Sequence, residues 1–437
     1  MTIRQPKLTT GGTLLAALLI FTAYTAAQTP TLTTIYSFQG APGDGQQPGG
    51  VVPGGGGMLY GFASGGASNN GVVFSLTPPA SPGAAWTETV LHNFNGGSSD
   101  GSGPLAIAVG GGGVLYGITG GGGTAGGGTA FSLTPPASRG GPWSEALLYS
   151  FPSRLLLNPG LAIDGHGVLY GTTFQGGTGT CPFPATGCGT VYSLAPPASS
   201  GGAWTESVLY SFMDNGSDGF YPLAGVVIGS GGVLYGTTGG GSAYGGGTAF
   251  SLTPPVSAGG AWTENVLVSL RWGGPSLGFE PDSGLAIGGG GTLYGTTKQG
   301  GNYGCPDVEA VGGCGAVFEL VPPASPGGAW NSRLIYDFYP VCCGDAYWPT
   351  SAVVGSGGVL YGATYEGGSG NLGAVYSLTP PASPGGAWTE AVVHSFTGIP
   401  PDGALTGGLV VGIGAIYGVT AEGGTPNNYG TVFSLQP

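Results

Sequence analysis

Six of the carboxylates between residues 280 and 366 form the pool that could do chemistry in this chain: Glu280, Asp282, Asp307, Glu309, Asp345 and Glu366. Around them stand Arg271, Trp272, Lys298, Tyr347 and Trp348, in stretches such as "RWGGPSLGFEPD" and "CCGDAYWP". Two carboxylates flanking a glycosidic bond can hydrolyse it, one as acid and the other as base or nucleophile. An exposed aromatic ring beside carboxylates and a cation suits a simpler task. The C–H face of a sugar stacks on the ring while the polar groups bind its hydroxyls. The ligand-binding candidates are therefore Arg271, Trp272, Glu280, Asp282, Lys298, Tyr347, Trp348 and Glu366, joined by Phe220 and Tyr221 of "GFYP".

Catalytic signatures are thin elsewhere. His92 and His394 replace a recurring tyrosine and His166 sits in a short turn, so none is placed as a triad member or a copper ligand. "GSSDG" at residues 97–101 has the spelling G-x-S-x-G but precedes a strand, without the strand–elbow–helix setting that motif needs. The reading we favour is a non-enzymatic binding or scaffold module whose partner is polysaccharide or another cell-envelope component. A carbohydrate-active hydrolase using two of the six carboxylates is the alternative, and a purely structural surface protein is a third.

Metal and cofactor are not expected. Asp44, Asp100 and Asp218 open Asp-Gly-x-x-Pro steps and Asp402 a similar Asp-Gly step, never more than one in a repeat unit. Carboxylates so dispersed cannot gather the six to eight oxygens of a calcium site, and they read as Asx turns. The glutamates of the W-[TS]-E motif (Glu88, Glu145, Glu206, Glu264, Glu390) read as solvated strand residues. The six cysteines lack C-x-x-C spacing and have no histidine near them, which argues against zinc. An even count in an exported chain favours disulfides. The simplest arrangement staples Cys181 to Cys188 and Cys305 to Cys314, with Cys342 and Cys343 as an adjacent pair.

The elements that position these groups come from a repeat. An aliphatic–Tyr–Gly triplet recurs seven times, with its tyrosine at residues 60, 116, 170, 235, 294, 361 and 417. A "TAFSL"-like segment always follows, and in six units a tryptophan and a "VLYSF"-like segment come next. With the small aliphatic run ahead of each triplet, every unit offers four strands separated by turn residues. Four-stranded units of this length, repeated radially, are the mark of a β-propeller. The last unit stops after its third strand at "TVFSLQP", while "TLTTIYSF" near the start is an unattached fourth strand. Pairing the two predicts an all-β, seven-bladed propeller closed by its N-terminal strand. The six repeat tryptophans should pack against the blades, which leaves Trp272 and Trp348 as the two outside the pattern. The loops between second and third strands and the blade-to-blade connections share one variable face, where a site belongs.

The unit D-G-x-x-P…LYGTT…GG…G-T-x-[FY]-S-L-x-P resembles the Gloeo/Verruco (GloVer) repeat of secreted bacterial proteins. The resemblance covers residues 32–437. It implies a propeller-like repeat and export, and brings no catalytic residues. Blade three lacks the Asp-Gly step.

Composition agrees with export. Arg4 and Lys7, the apolar run "TLLAALLIFTAY" and the small residues of "TAAQ" read as a signal peptide over residues 1–27. Residues 28–437 then form a single propeller domain, secreted or held in the cell envelope. Removing Arg4 and Lys7 takes the net charge from −13 to about −15, which disfavours nucleic acid and anionic lipid. A monomer with no membrane insertion after cleavage is expected. The chain has 98 glycines and 36 prolines, but 41% of it is hydrophobic and 11% aromatic, too much for a disordered chain.

Overall fold

Every blade is built on one cross-strand pair. In the computed structural model the glycine of each aliphatic–Tyr–Gly triplet lies opposite the aromatic residue of the third strand. The pairs are Gly61 and Phe74, Gly117 and Phe131, Gly171 and Tyr192, Gly236 and Phe250, Gly295 and Phe318, Gly362 and Tyr376, and Gly418 and Phe433. The aromatic ring lies flat over the glycine: a Cβ added at Gly236 would sit 2.6 Å from the Phe250 ring. No other residue leaves room for that ring, which is why the triplet ends in glycine at all seven sites.

The structure describes residues 31–436, except positions 41, 82, 139, 154, 182–185, 200, 258, 273–276, 302–312, 326, 340–345, 384, 399–401, 405, 406, 425 and 426. Among the described residues there are seven four-stranded antiparallel sheets. Blade four shows the pattern: Val227–Ile228, Leu234–Thr238, Gly245–Thr253 and Thr263–Arg271 lie side by side in that order. Its first turn needs a left-handed residue, supplied by Gly231 at φ 70°.

The seventh blade is completed from both ends of the chain. Thr31–Ser37 pairs antiparallel with Thr431–Gln436, from Thr31 opposite Gln436 to Ser37 opposite Thr431. The seven-bladed propeller and its closure are thus as expected. The signal-peptide segment, residues 1–27, lies outside the described residues. Among those described, no helix is long and apolar enough to cross a membrane.

The core lies between blades. Six of the seven outer strands place a buried phenylalanine against the third-strand aromatic of the next blade, edge-on in Phe38 on Phe74 at 5.2 Å and Phe212 on Phe250 at 5.1 Å. Burying such a ring stabilises by roughly 1.5–3 kcal/mol, and the edge-to-face pair adds about 0.5–1.5 kcal/mol. The six repeat tryptophans also pack across seams. Each meets the triplet tyrosine of the preceding blade at 5.8 to 6.3 Å, from Tyr60 with Trp143 to Tyr170 with Trp262. The seam between blades four and five departs from the rule, because Leu270 stands where the others have phenylalanine.

Candidate functional site on the variable face

The blade-to-blade connections reach the variable face through a repeated latch. Asp44 accepts hydrogen bonds from the backbone N–H of Gly45 and Gln39 and from the Tyr36 hydroxyl. Asp218 accepts from Met213 N–H and the Tyr210 hydroxyl. At Asp100 and Asp402 a histidine takes the tyrosine's place, His92 at 3.5 Å and His394 at 3.3 Å. These aspartates therefore reach back five and eight residues to the preceding outer strand, and do not form the Asx turns expected from sequence. Burial opposes ionisation of Asp402, but the bonds from His394, Thr397 and Gly403 outweigh it, and its pKa falls below the usual carboxylate value.

Beyond the latch the chain passes through a residue directly before a proline. Gln47, Gly103, Tyr221, Glu280 and Trp348 occupy this position in blades one, two, four, five and six, all with φ between 50° and 63°. Four of the five are not glycine. A residue before proline normally avoids such a conformation, which costs of order 1–3 kcal/mol where it persists. Here the preceding blade enforces it: the five N–H groups donate to the carbonyls of Tyr429, Asn70, Cys188, Gly246 and Cys314 at 2.7 to 3.1 Å.

The predicted site residues fall into three adjoining groups. Arg271 ends the outer strand of blade four, its guanidinium 5.7 Å from the centre of the Tyr244 ring. Trp272, next in sequence, is 56% exposed and is backed by the buried ring of Phe279 at 4.6 Å. Phe279 is fixed in turn by two backbone hydrogen bonds with Gln299.

The second group starts at Glu280, whose carboxylate accepts from the Gln299 side chain at 3.0 Å and whose carbonyl accepts from Lys298 N–H. The Lys298 ammonium lies 5.8 Å from the centre of the Trp348 ring, on the next blade. Asp282 is close enough to feel both charges. Burial pushes its pKa up to about 6, Lys298 pulls it down and Glu280 raises it further. Its Oδ1 is buried without a hydrogen-bond partner among the described residues.

Tyr347 and Glu366 form a third group, joined to the second where the Tyr347 ring meets Trp348 edge-on at 5.6 Å. Tyr347 is buried, and its hydroxyl lies 2.8 Å from the Glu366 carboxylate and 2.9 Å from Asn371 Oδ1, either of which can accept its proton. Glu366, with Tyr365, Asn371 and Glu422, lines a cleft of about 230 Å³ between blades six and seven. Asp307, Glu309 and Asp345 lie outside the described residues.

Cys181 and Cys188 form the expected disulfide, and Cys314 is also disulfide-bonded. Cys305, Cys342 and Cys343 lie outside the described residues.

The repeat itself has a known counterpart. The Gloeobacter/Verrucomicrobia repeat matches residues 19–183 and 159–433, nearly the whole chain. The chain belongs to this repeat family. Among curated proteins none matches it. Solved structures that resemble this Gloeobacter/Verrucomicrobia repeat protein include a gluconolactonase from Xanthomonas campestris, with 12% identity, 78% of this chain and 87% of that one covered, and a TM-score of 0.39. Another is PorZ, a surface component of the type-IX secretion system of Porphyromonas gingivalis (15% identity, 91% and 47% covered, TM-score 0.47). A third is the extracellular domain of BT4673 from B. thetaiotaomicron (10%, 92% and 42%, 0.48). None of these likenesses carries an activity over to this chain.

Two features of the Gloeobacter/Verrucomicrobia repeat protein escaped the sequence reading. Phe174, four residues after the triplet tyrosine of blade three, stacks on Tyr221 at 4.7 Å and 28°. It holds the same place in its blade as Lys298 does in blade five, and aligning the units on their tyrosines reveals it. The W-[TS]-E glutamates are also not the solvated residues expected. Glu88, Glu145 and Glu264 are half-buried, and burial first, then Asp44, Asp100 and Asp218 respectively, push their pKa values up to about 7. Glu88 and Glu264 lie close enough to Tyr36 and Tyr210, on the outer strand of the preceding blade, to raise the pKa of those phenols, a placement that strand alternation alone does not give.

Proposed function

We propose that this chain is a secreted binding module that holds polysaccharide or another cell-envelope glycan on the variable face around blades five and six. The observation that carries the reading is Trp272, more than half exposed and supported from beneath by buried Phe279. A tryptophan stiffened in this way presents a flat apolar face at little entropic cost. Arg271, Lys298, Glu280 and Glu366 supply donors and acceptors around it. Export is supported by the Cys181–Cys188 disulfide, a bond that persists in oxidising compartments.

One observation favours a second reading. Asp282, with a pKa near 6 and Glu280 beside it, has the character of a general acid, so a glycan-active hydrolase on the same face is the alternative.

The test incubates the exported chain with insoluble polysaccharides and cell-envelope fractions and follows both loss of protein from solution and release of soluble sugar. Depletion without release, lost in the Trp272→Ala/Trp348→Ala double variant, supports the binding module. Sugar release that disappears in Asp282→Asn supports the hydrolase instead. Absence of both removes glycan as the partner.

A further inference from the structure

We infer that the ligand is read by paired side chains at the blade seams, that Phe174 and Tyr221 form an aromatic subsite of their own, and that the bound molecule is a linear glycan without acidic groups running from blade three to blade six. This rests on the glycan-binding reading above and names its ligand class and further contact residues.

The pairing follows from two positions that recur along the chain, the first of them in blades one, two, four, five and six. One is the pre-proline residue at the start of a blade, the other the fourth residue after the triplet tyrosine of the blade before it. At the seam of blades three and four the two are Tyr221 and Phe174, stacked at 4.7 Å. At the seam of blades five and six they are Trp348 and Lys298, 5.8 Å from ring centre to ammonium. The same construction thus backs a flat ring at two seams. At the seam of blades one and two the residues are Gly103 and Ser64, which offer no ring.

The scaffold does not dictate these side chains. The bond to the preceding blade engages only the backbone N–H of the pre-proline residue, and the position accepts Gln, Gly, Tyr, Glu and Trp with one conformation. What distinguishes the aromatic seams is reinforcement. Tyr221 N–H bonds to the carbonyl of Cys188 and Trp348 N–H to that of Cys314, and both cysteines are disulfide-bonded. The other three acceptors are Tyr429, Asn70 and Gly246. A crosslink is therefore found at each described pre-proline ring, where it fixes the residue that aims the ring.

Between the two aromatic seams stands Glu280, and the half-exposed Tyr365 continues the line beyond Trp348 at the position Phe174 and Lys298 hold in their blades. Rings spaced along an arc suit a chain of sugar units, each contributing a modest stacking energy. The carboxylates along the arc and a net charge of −13 repel uronic-acid polymers.

The test measures binding of the intact chain to graded chito- and cello-oligosaccharides, with a uronic-acid oligomer as a third series. Phe174→Ser/Tyr221→Gln installs residues that blade one carries at the same positions, so the backbone is already accommodated. Tyr221→Trp installs the blade-six residue. Affinity of the parent chain should rise with oligosaccharide length. The Ser/Gln variant should lose about three- to tenfold for long oligosaccharides and little for short ones, while Tyr221→Trp keeps the rise. Equal binding of all lengths by parent and Ser/Gln variant, or preference for the uronic-acid series, overturns the inference and leaves glycan binding standing. If the parent binds no series, and the insoluble glycans fail too, both readings fall.

Discussion

The Tyr36 hydroxyl donates a 2.9 Å hydrogen bond to Asp44 Oδ2, tying the strand that closes the ring to the blade that begins it. Asp44 is buried and serves two backbone N–H groups as well. Removing it strands three donors, whereas removing the hydroxyl strands none of the backbone.

Asp44→Ala should therefore cost about 2–3 kcal/mol and Tyr36→Phe about 1 kcal/mol. Thermal unfolding checks the order. Equal losses from the two variants would mean that the phenol, and not the backbone bonds, holds the latch.

Stability should rise as the solution is acidified from pH 8 toward pH 5. Glu88, Glu145 and Glu264 go from an ordinary value of 4.5 to about 7 on folding. The folded chain then holds more protons than the unfolded chain between these values, so the contribution is full below 4.5 and is lost as pH rises through 7. Replacing all three by Gln should flatten the melting profile over that range and raise Tm at pH 8. A Tm that climbs with pH in the parent chain would contradict the burial of these groups.

Phe38→Ala should cost about 3–5 kcal/mol if the cavity does not collapse, because the ring is buried against Phe74. The loss should be local. Hydrogen exchange should quicken first over Thr31–Ser37, with the outer strands of the other blades still protected. Uniform quickening would indicate that the blades do not unfold separately.

Cys181→Ser/Cys188→Ser closes no loop of its own and should lower stability by about 2 kcal/mol at most. Its sharper effect should fall on Tyr221, which hangs from the Cys188 carbonyl. Fluorescence quenching of the face by iodide should increase more than the melting temperature falls. Unchanged quenching would show that the loop keeps its shape without the bond.

The fold was legible because its determinants are written seven times. The glycine under the aromatic ring, the tryptophan on the preceding tyrosine and the unattached first strand each recur or complement one another in the sequence. The face was legible only where it broke the repeat, as Trp272 and Trp348 do. Phe174 sits inside a well-matched triplet region and becomes visible only when the same place is compared across blades. The placement of Glu88 and its equivalents depends on the packing of one blade against the next, which alternation within a strand cannot report. Asp44 kept its turn position, but its partners lie in another blade.

Thr31–Ser37 emerges from the ribosome before any blade, and its partner Thr431–Gln436 after nearly all of them. For the whole period of synthesis the leading strand has no mate, and the third strand of the last blade is missing. The circle can shut only once Thr431–Gln436 has been made. A partner present during synthesis would therefore meet an open ring, and one present afterwards a closed one.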